Sequence, residues 1–192
     1  MEKIMQLKDS QTEKNLLKAF AGESQARNRY TYFAGQARKE GLVRIALQFE
    51  ETANQEKEHA KRFFSLLEGG SVEITASFPA GKIATTLENL QAAAAGEHEE
   101  YSTLYPSFAQ VAQEEGFAAA AKLFEMVSVA EKQHERQFLN FADKVKNNLV
   151  FNSNTKVTWR CLNCGYVHEG TEAPQRCPAC LHAQAFFELY NS

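Results

Sequence analysis

The chain has 192 residues, 21 basic and 24 acidic side chains and a net charge of −3, which suits one medium domain plus a small appendage. That balance offers no basic surface for nucleic acid, and no apolar run approaches the roughly 20 residues that span a bilayer. The start, Met1-Glu2-Lys3-Ile4-Met5-Gln6, is too polar for a secretory signal, so a soluble cytoplasmic protein is expected.

The first predicted helix runs from Thr12 to about Lys39, with Leu16, Leu17, Phe20, Tyr30 and Phe33 as its apolar positions, and ends at Glu40-Gly41. The second covers Leu42 to Glu68, with Ile45, Phe49, Ala53, Ala60, Phe63 and Leu67 at helical spacing, and stops at Gly69-Gly70. Residues 69–81 contain Pro79, three Gly and β-branched side chains, and read as a crossover between two helical hairpins. A third helix is expected from about Lys82 to Glu115 and a fourth from Phe117 to about Asn148. Pro106 falls inside the third, where it should remove a backbone hydrogen bond and bend the helix. The chain thus divides into a four-helix bundle over 1–147, a linker over 148–155 and a cysteine-bearing domain over 156–192.

The two hairpins repeat. Gly22-Glu23 precedes Glu56-Lys57-Glu58-His59 as Gly96-Glu97 precedes Glu131-Lys132-Gln133-His134, with 33 residues between Glu23 and Glu56 and 34 between Glu97 and Glu131. Glu40-Gly41 also aligns with Glu115-Gly116, Phe49-Glu50 with Phe124-Glu125, and Phe63 with Phe138. A Glu and a His three apart project from one helix face. Two such pairs, plus a lone Glu from each of two further helices, form the ligand set of a di-iron or di-manganese carboxylate site in a four-helix bundle. Glu23, Glu56, Glu97, Glu100 and Glu131 would gather five carboxylates on inner faces, an unfavourable arrangement without cations. Two ferrous ions would bring about +4 and nearly balance them.

Glu100 has no counterpart in the first hairpin, where Ala26 occupies its place. It is expected to alternate with His59 as a ligand to one metal; the plainer alternative is a solvated residue beside the ligands. His98 and Glu99 fall off the ligand face. Tyr30 follows Glu23 by about two turns and Tyr105 follows Glu97 similarly, so each hydroxyl can meet a ligand carboxylate or a bound oxygen species, or simply a packing partner.

All four cysteines lie near the C-terminus, as Cys161-Leu162-Asn163-Cys164 and Cys177-Pro178-Ala179-Cys180. Two such knuckles make a tetrahedral thiolate site and leave no cysteine for a disulfide. Zinc ribbons share this spacing. Iron is the reading adopted, because a redox-active dimetal domain gains from an attached one-electron centre. Trp159, Tyr166, Phe186 and Phe187 supply a small aromatic core.

The order Glu23…Glu56-x-x-His59…Glu97-x-x-Glu100…Glu131-x-x-His134, followed by Cys161-x-x-Cys164-Gly165-Tyr166…Cys177-Pro178-x-Cys180, resembles the rubrerythrins over essentially the whole chain. The resemblance implies a ferritin-like di-iron bundle with a rubredoxin-like domain, acting as a non-haem peroxidase that reduces hydrogen peroxide to water in oxidative-stress defence. Electrons would come from a rubredoxin or an NAD(P)H-dependent reductase through the thiolate-bound iron. The subunits would pair as a homodimer that brings one subunit's thiolate-bound iron near the other's di-iron centre. Glu56 and Glu131 would bridge the two irons, with Glu23 and Glu97 terminal. His134 would hold the second iron, and His59 or Glu100 would complete the first. One departure from free rubredoxins is local: Leu181-His182-Ala183-Gln184-Ala185 lacks the Gly that often follows the second knuckle. Two alternatives stay open: a ferroxidase or iron-handling protein using the same site, and an interaction protein carrying a zinc ribbon.

Overall fold

A computed structural model describes residues 6–190. Helices α1 (Gln11–Lys39) and α2 (Val43–Phe64) form the first hairpin. The second contains α3 (Thr86–Glu99), a π-helical turn (Glu100–Leu104), α4 (Tyr105–Glu114) and α5 (Ala118–Lys146). Helix α1 packs along α2, while α3 and α4 pack along α5. Residues 69–81 contain no helix or strand, as a crossover between hairpins requires.

Two helix boundaries differ from expectation. The second helix ends at Phe64, short of Glu68, and Leu66 and Leu67 follow in a turn. The third begins at Thr86 and not at Lys82, because Thr85 and Glu88 close a reciprocal capping box there. The irregularity expected from Pro106 takes a specific form. The Tyr105 N–H reaches back five residues to the Glu100 carbonyl, one residue more than an α-turn. That wide turn absorbs an insertion, since Glu97 and Tyr105 are eight residues apart whereas Glu23 and Tyr30 are seven. It keeps Tyr105 in the phase that Tyr30 has in the other hairpin.

The repeat is visible in the packing. Phe49 meets Phe138 at 5.2 Å in one apolar cluster, and their sequence counterparts Phe124 and Phe63 meet at 5.1 Å in another. The first cluster also holds Tyr30, Phe33, Ile45 and Leu90; the second holds Leu16, Tyr105, Phe108 and Val127. At each hairpin turn Gly41 (φ 76°) or Gly116 (φ 84°) takes the left-handed conformation that ends a helix. The Glu before each glycine then caps the other hairpin's first helix. Glu115 accepts from the Gln11 and Thr12 N–H groups at 3.1 and 2.8 Å, and Glu40 accepts from the Thr86 N–H at 3.1 Å. Each hairpin thereby anchors the start of the other.

The C-terminal part is a three-stranded antiparallel sheet, ordered β2 (Val167–Glu172), β1 (Asn152–Cys161), β3 (Phe187–Leu189). Strand β1 takes up residues 152–155, within the stretch read as linker. Trp159 and Phe187 are buried in its small core, with Tyr166 and Phe186 packed against them. This domain sits against the turn end of the first hairpin, where Arg44 lies 3.2 Å from Glu188. No helix among the described residues is long and apolar enough to cross a membrane.

Candidate metal centres

Between the two aromatic clusters lies a polar layer contributed by the four long helical segments. Glu23 projects from α1, Glu56 and His59 from α2, Glu97 from α3, and Glu131 and His134 from α5. The four carboxylates are at most 1 % exposed. Two metal-competent groups result, Glu23–Glu56–His59–Glu131 and Glu56–Glu97–Glu131–His134, with each group's ligand atoms within 4.8 Å of one another. Glu56 and Glu131 belong to both, as bridging carboxylates would.

The donor set fits a pair of cations. His134 Nδ1 lies 3.0 Å from Glu56 Oε1 and 2.7 Å from Glu131 Oε2, yet it is aligned for a hydrogen bond with neither. Glu23 Oε2, Glu97 Oε2 and both Glu131 oxygens are likewise buried without a hydrogen-bond partner. Atoms this close that do not point at one another converge on common centres, and leaving them so is costly unless a cation takes them up.

Without cations, protons must supply the compensating charge. Burial and the charges of Glu131 and Glu56 push the Glu23 pKa well above the usual carboxylate range. Burial and the Glu56 charge push Glu97 up to about 8. Burial acts on Glu56 in the same direction, but contacts from His134 and His59 outweigh it and hold that group at about 2. Burial lowers both histidines, and their carboxylate contacts more than offset it: Glu131 and Glu56 raise His134 to about 12, and Glu131 and Glu23 raise His59 strongly.

The tyrosines cross between hairpins. Tyr30, on α1, donates its hydroxyl to Glu97, and Tyr105, from the second hairpin, donates to Glu23; both side chains are fully buried. The sequence allowed a ligand carboxylate as partner for each, and the structure shows that the partner belongs to the opposite hairpin. Glu100 is partly buried and stands outside both metal-competent groups. Burial and the Glu97 charge raise its pKa well above normal. His98 and Glu99 are exposed, and His98 bonds Glu135 at 2.9 Å.

In the C-terminal domain Cys161, Cys164, Cys177 and Cys180 bring their sulfurs within 4.8 Å of one another, and none is in a disulfide. Matching turns build the two knuckles: the Gly165 N–H donates to the Cys161 carbonyl and the Leu181 N–H to that of Cys177, at 2.8 and 2.9 Å. Both turns need a left-handed residue. Gly165 (φ 78°) supplies the first at no steric cost, whereas Leu181 (φ 61°) occupies the second. The missing glycine was visible in sequence; the strained backbone that replaces it was not.

A bundle whose facing helices converge two Glu-x-x-His pairs and two further Glu, joined to a four-thiolate domain, defines a ferritin-like dimetal carboxylate protein with a rubredoxin-like module. The rubrerythrin family profile matches residues 14–142, and that of the rubrerythrin rubredoxin-like domain matches 159–188. A rubrerythrin of Nitratidesulfovibrio vulgaris is 61 % identical over 183 residues, covering 95 % of this chain and 96 % of that one. The structure of fully reduced, all-ferrous nigerythrin superposes with a TM-score of 0.63 at 33 % identity, over 95 % of this chain and 91 % of that one. An open-pore ferritin from Archaeoglobus fulgidus, 16 % identical, shares the fold alone, with a TM-score of 0.60 over 74 % of this chain and 88 % of that one. The chain belongs to the rubrerythrin family.

Proposed function

We propose that the bundle holds two iron ions and the four cysteines a third, and that the protein reduces hydrogen peroxide to water. The observation carrying this reading is the pair of metal-competent groups sharing Glu56 and Glu131, joined in one chain to a four-thiolate site. The all-ferrous state of the nigerythrin relative supports iron as the metal. Two ferrous ions, when bound, would supply the two electrons that, with two protons from solvent, convert hydrogen peroxide to two waters.

The chain's own residues do the rest. Glu56 and Glu131, which belong to both groups, would hold both metals, and Glu23 and Glu97 would be terminal ligands. The Tyr30 and Tyr105 hydroxyls fix the orientation of Glu97 and Glu23. His134 would complete one site, and His59 or Glu100 would complete the other according to oxidation state. Phe49 and Phe138 on one side, and Phe63 and Phe124 on the other, keep bulk water from the polar layer. Repeated turnover requires a supply of electrons, for which the four-thiolate iron is suited, charged by a rubredoxin or an NAD(P)H-dependent reductase. Within one chain that domain rests near Arg44, twelve residues before Glu56 on α2, or about 18 Å along the helix. The contact that seats this domain is thus well removed from the dimetal ligands of the same chain, which supports a homodimer in which each four-thiolate iron serves the partner's bundle.

Metal analysis with stopped-flow mixing tests the proposal. Iron-loaded protein should carry about three irons per chain, and the reduced protein should react faster with peroxide than with oxygen. Faster reaction with oxygen, together with accumulation of ferric mineral, would favour a ferroxidase. Zinc at the thiolates and an empty bundle would overturn the reading.

A further inference from the structure

Against the dimetal layer lies a partly open cavity of about 250 Å³, bounded by α1, the crossover and the second hairpin, with Glu100 in its wall. Its outer cover is Phe78, which is 38 % exposed, and the crossover is tied down beside it by the Gln25 side-chain N–H donating to the Pro79 carbonyl at 3.2 Å. The wall at Gly22 is open because that residue has no side chain. A Cβ there would meet Phe78 at 3.8 Å and Glu100 Oε1 at 4.0 Å, so this one position touches both the cover and the site. Two residues that line the cavity each carry a polar atom buried behind its surface without a partner: Arg29 Nε, a donor, and Gln25 Oε1, an acceptor. Neither atom is open to a water-sized molecule as the wall stands, so a ligand in the cavity would bond them only when these side chains turn toward it, which would relieve the cost of leaving them unpaired.

We propose that this cavity is the way in and waiting site for hydroperoxide, with Arg29 and Gln25 as its binding residues and Phe78 as the filter that admits hydrogen peroxide and excludes bulkier hydroperoxides. The proposal rests on the peroxidase reading and specifies the route by which the substrate reaches the metals. Hydrogen peroxide suits the unpaired atoms because each of its O–H groups donates and each oxygen accepts.

Stopped-flow reoxidation of the reduced, full-length protein by hydrogen peroxide and by tert-butyl hydroperoxide tests the filter. Phe78→Ala should raise the ratio of the tert-butyl hydroperoxide rate constant to that for hydrogen peroxide about ten-fold, a usual scale for discrimination by size. Gly22→Leu, which fills the wall, should slow both at unaltered metal content. A binding measurement stands apart from activity: in zinc-loaded, redox-inert protein, hydrogen peroxide should shift the Arg29 Nε–H and Gln25 side-chain amide resonances saturably, and Gly22→Leu should abolish the shift. Normal hydrogen peroxide turnover combined with unmoved resonances and an unchanged size preference in Phe78→Ala would overturn the cavity assignment alone. Failure of the reduced wild-type protein to react with hydrogen peroxide would instead overturn the peroxidase reading, and the route with it.

Discussion

Removing one hydroxyl beside each terminal carboxylate should weaken metal binding without loosening the bundle. Tyr105 and Tyr30 are fully buried, and each donates to a carboxylate that offers its other oxygen to the cluster. Phenylalanine would preserve the ring packing, with Tyr105 5.5 Å from Phe63 and Tyr30 5.2 Å from Phe138. The lost bond matters most when the carboxylate is charged. In the metal-free protein Glu23 is pushed toward its protonated form, so its need for a donor is smaller there than with metal bound. A hydrogen bond to a charged group is worth about 1.5–3 kcal/mol, and changes beside ligands typically cost about ten- to a hundred-fold in metal affinity. Tyr105→Phe and Tyr30→Phe should therefore each lower affinity by that factor, and by similar amounts because the two hairpins are near-equivalents. Anaerobic chelator competition with Fe(II) measures it, with thermal unfolding of the metal-free variants as control. An affinity change below about two-fold in both variants would refute this division of labour.

Metal loading at pH 7 should release about two protons per chain or more, because His134, raised to about 12, and His59, raised further, are protonated in the metal-free protein and must bind as neutral rings. A pH indicator in weak buffer reads this directly; the same competition makes loading weaken as pH falls, and proton-neutral loading would contradict it. Leu181→Gly should stabilise the four-cysteine domain by about 0.5–1 kcal/mol, as relief of a left-handed non-glycine residue exceeds glycine's added chain entropy. Leu181 is 66 % exposed, so little burial is lost, and an unchanged or lower midpoint in denaturant would refute the strain argument. Glu115→Ala removes the acceptor for two N–H groups at the start of α1 and should cost about 1 kcal/mol, a typical helix-cap value readable in the same assay. A chain ending at Asn147, chemically reduced, should consume about one peroxide per dimetal centre and then stall with a rubredoxin-type reductase as sole donor. Continued turnover would remove the four-thiolate iron from the electron route.

The spacing of Glu23, Glu56-x-x-His59, Glu97 and Glu131-x-x-His134 suffices to announce the dimetal layer. Helical periodicity puts such residues on one face, and a buried group of carboxylates is tolerable only with cations or protons to balance it. The cysteine knuckles are legible for a similar reason, since their geometry is local. The helix ends are less so, because propensity along 64–68 and 82–85 does not decide against a turn or a capping box. The wide turn at 100–104 did leave a trace, the one residue by which the second repeat exceeds the first between Glu97 and Tyr105. Its meaning emerges only when Tyr105 is seen in phase with Tyr30. Which carboxylate each tyrosine serves, which helix Glu40 and Glu115 cap, and that Phe78 closes over Gly22 are decided by how the two hairpins and the crossover pack. These contacts join residues 46 to 104 positions apart in most cases, a distance over which sequence pattern carries no register.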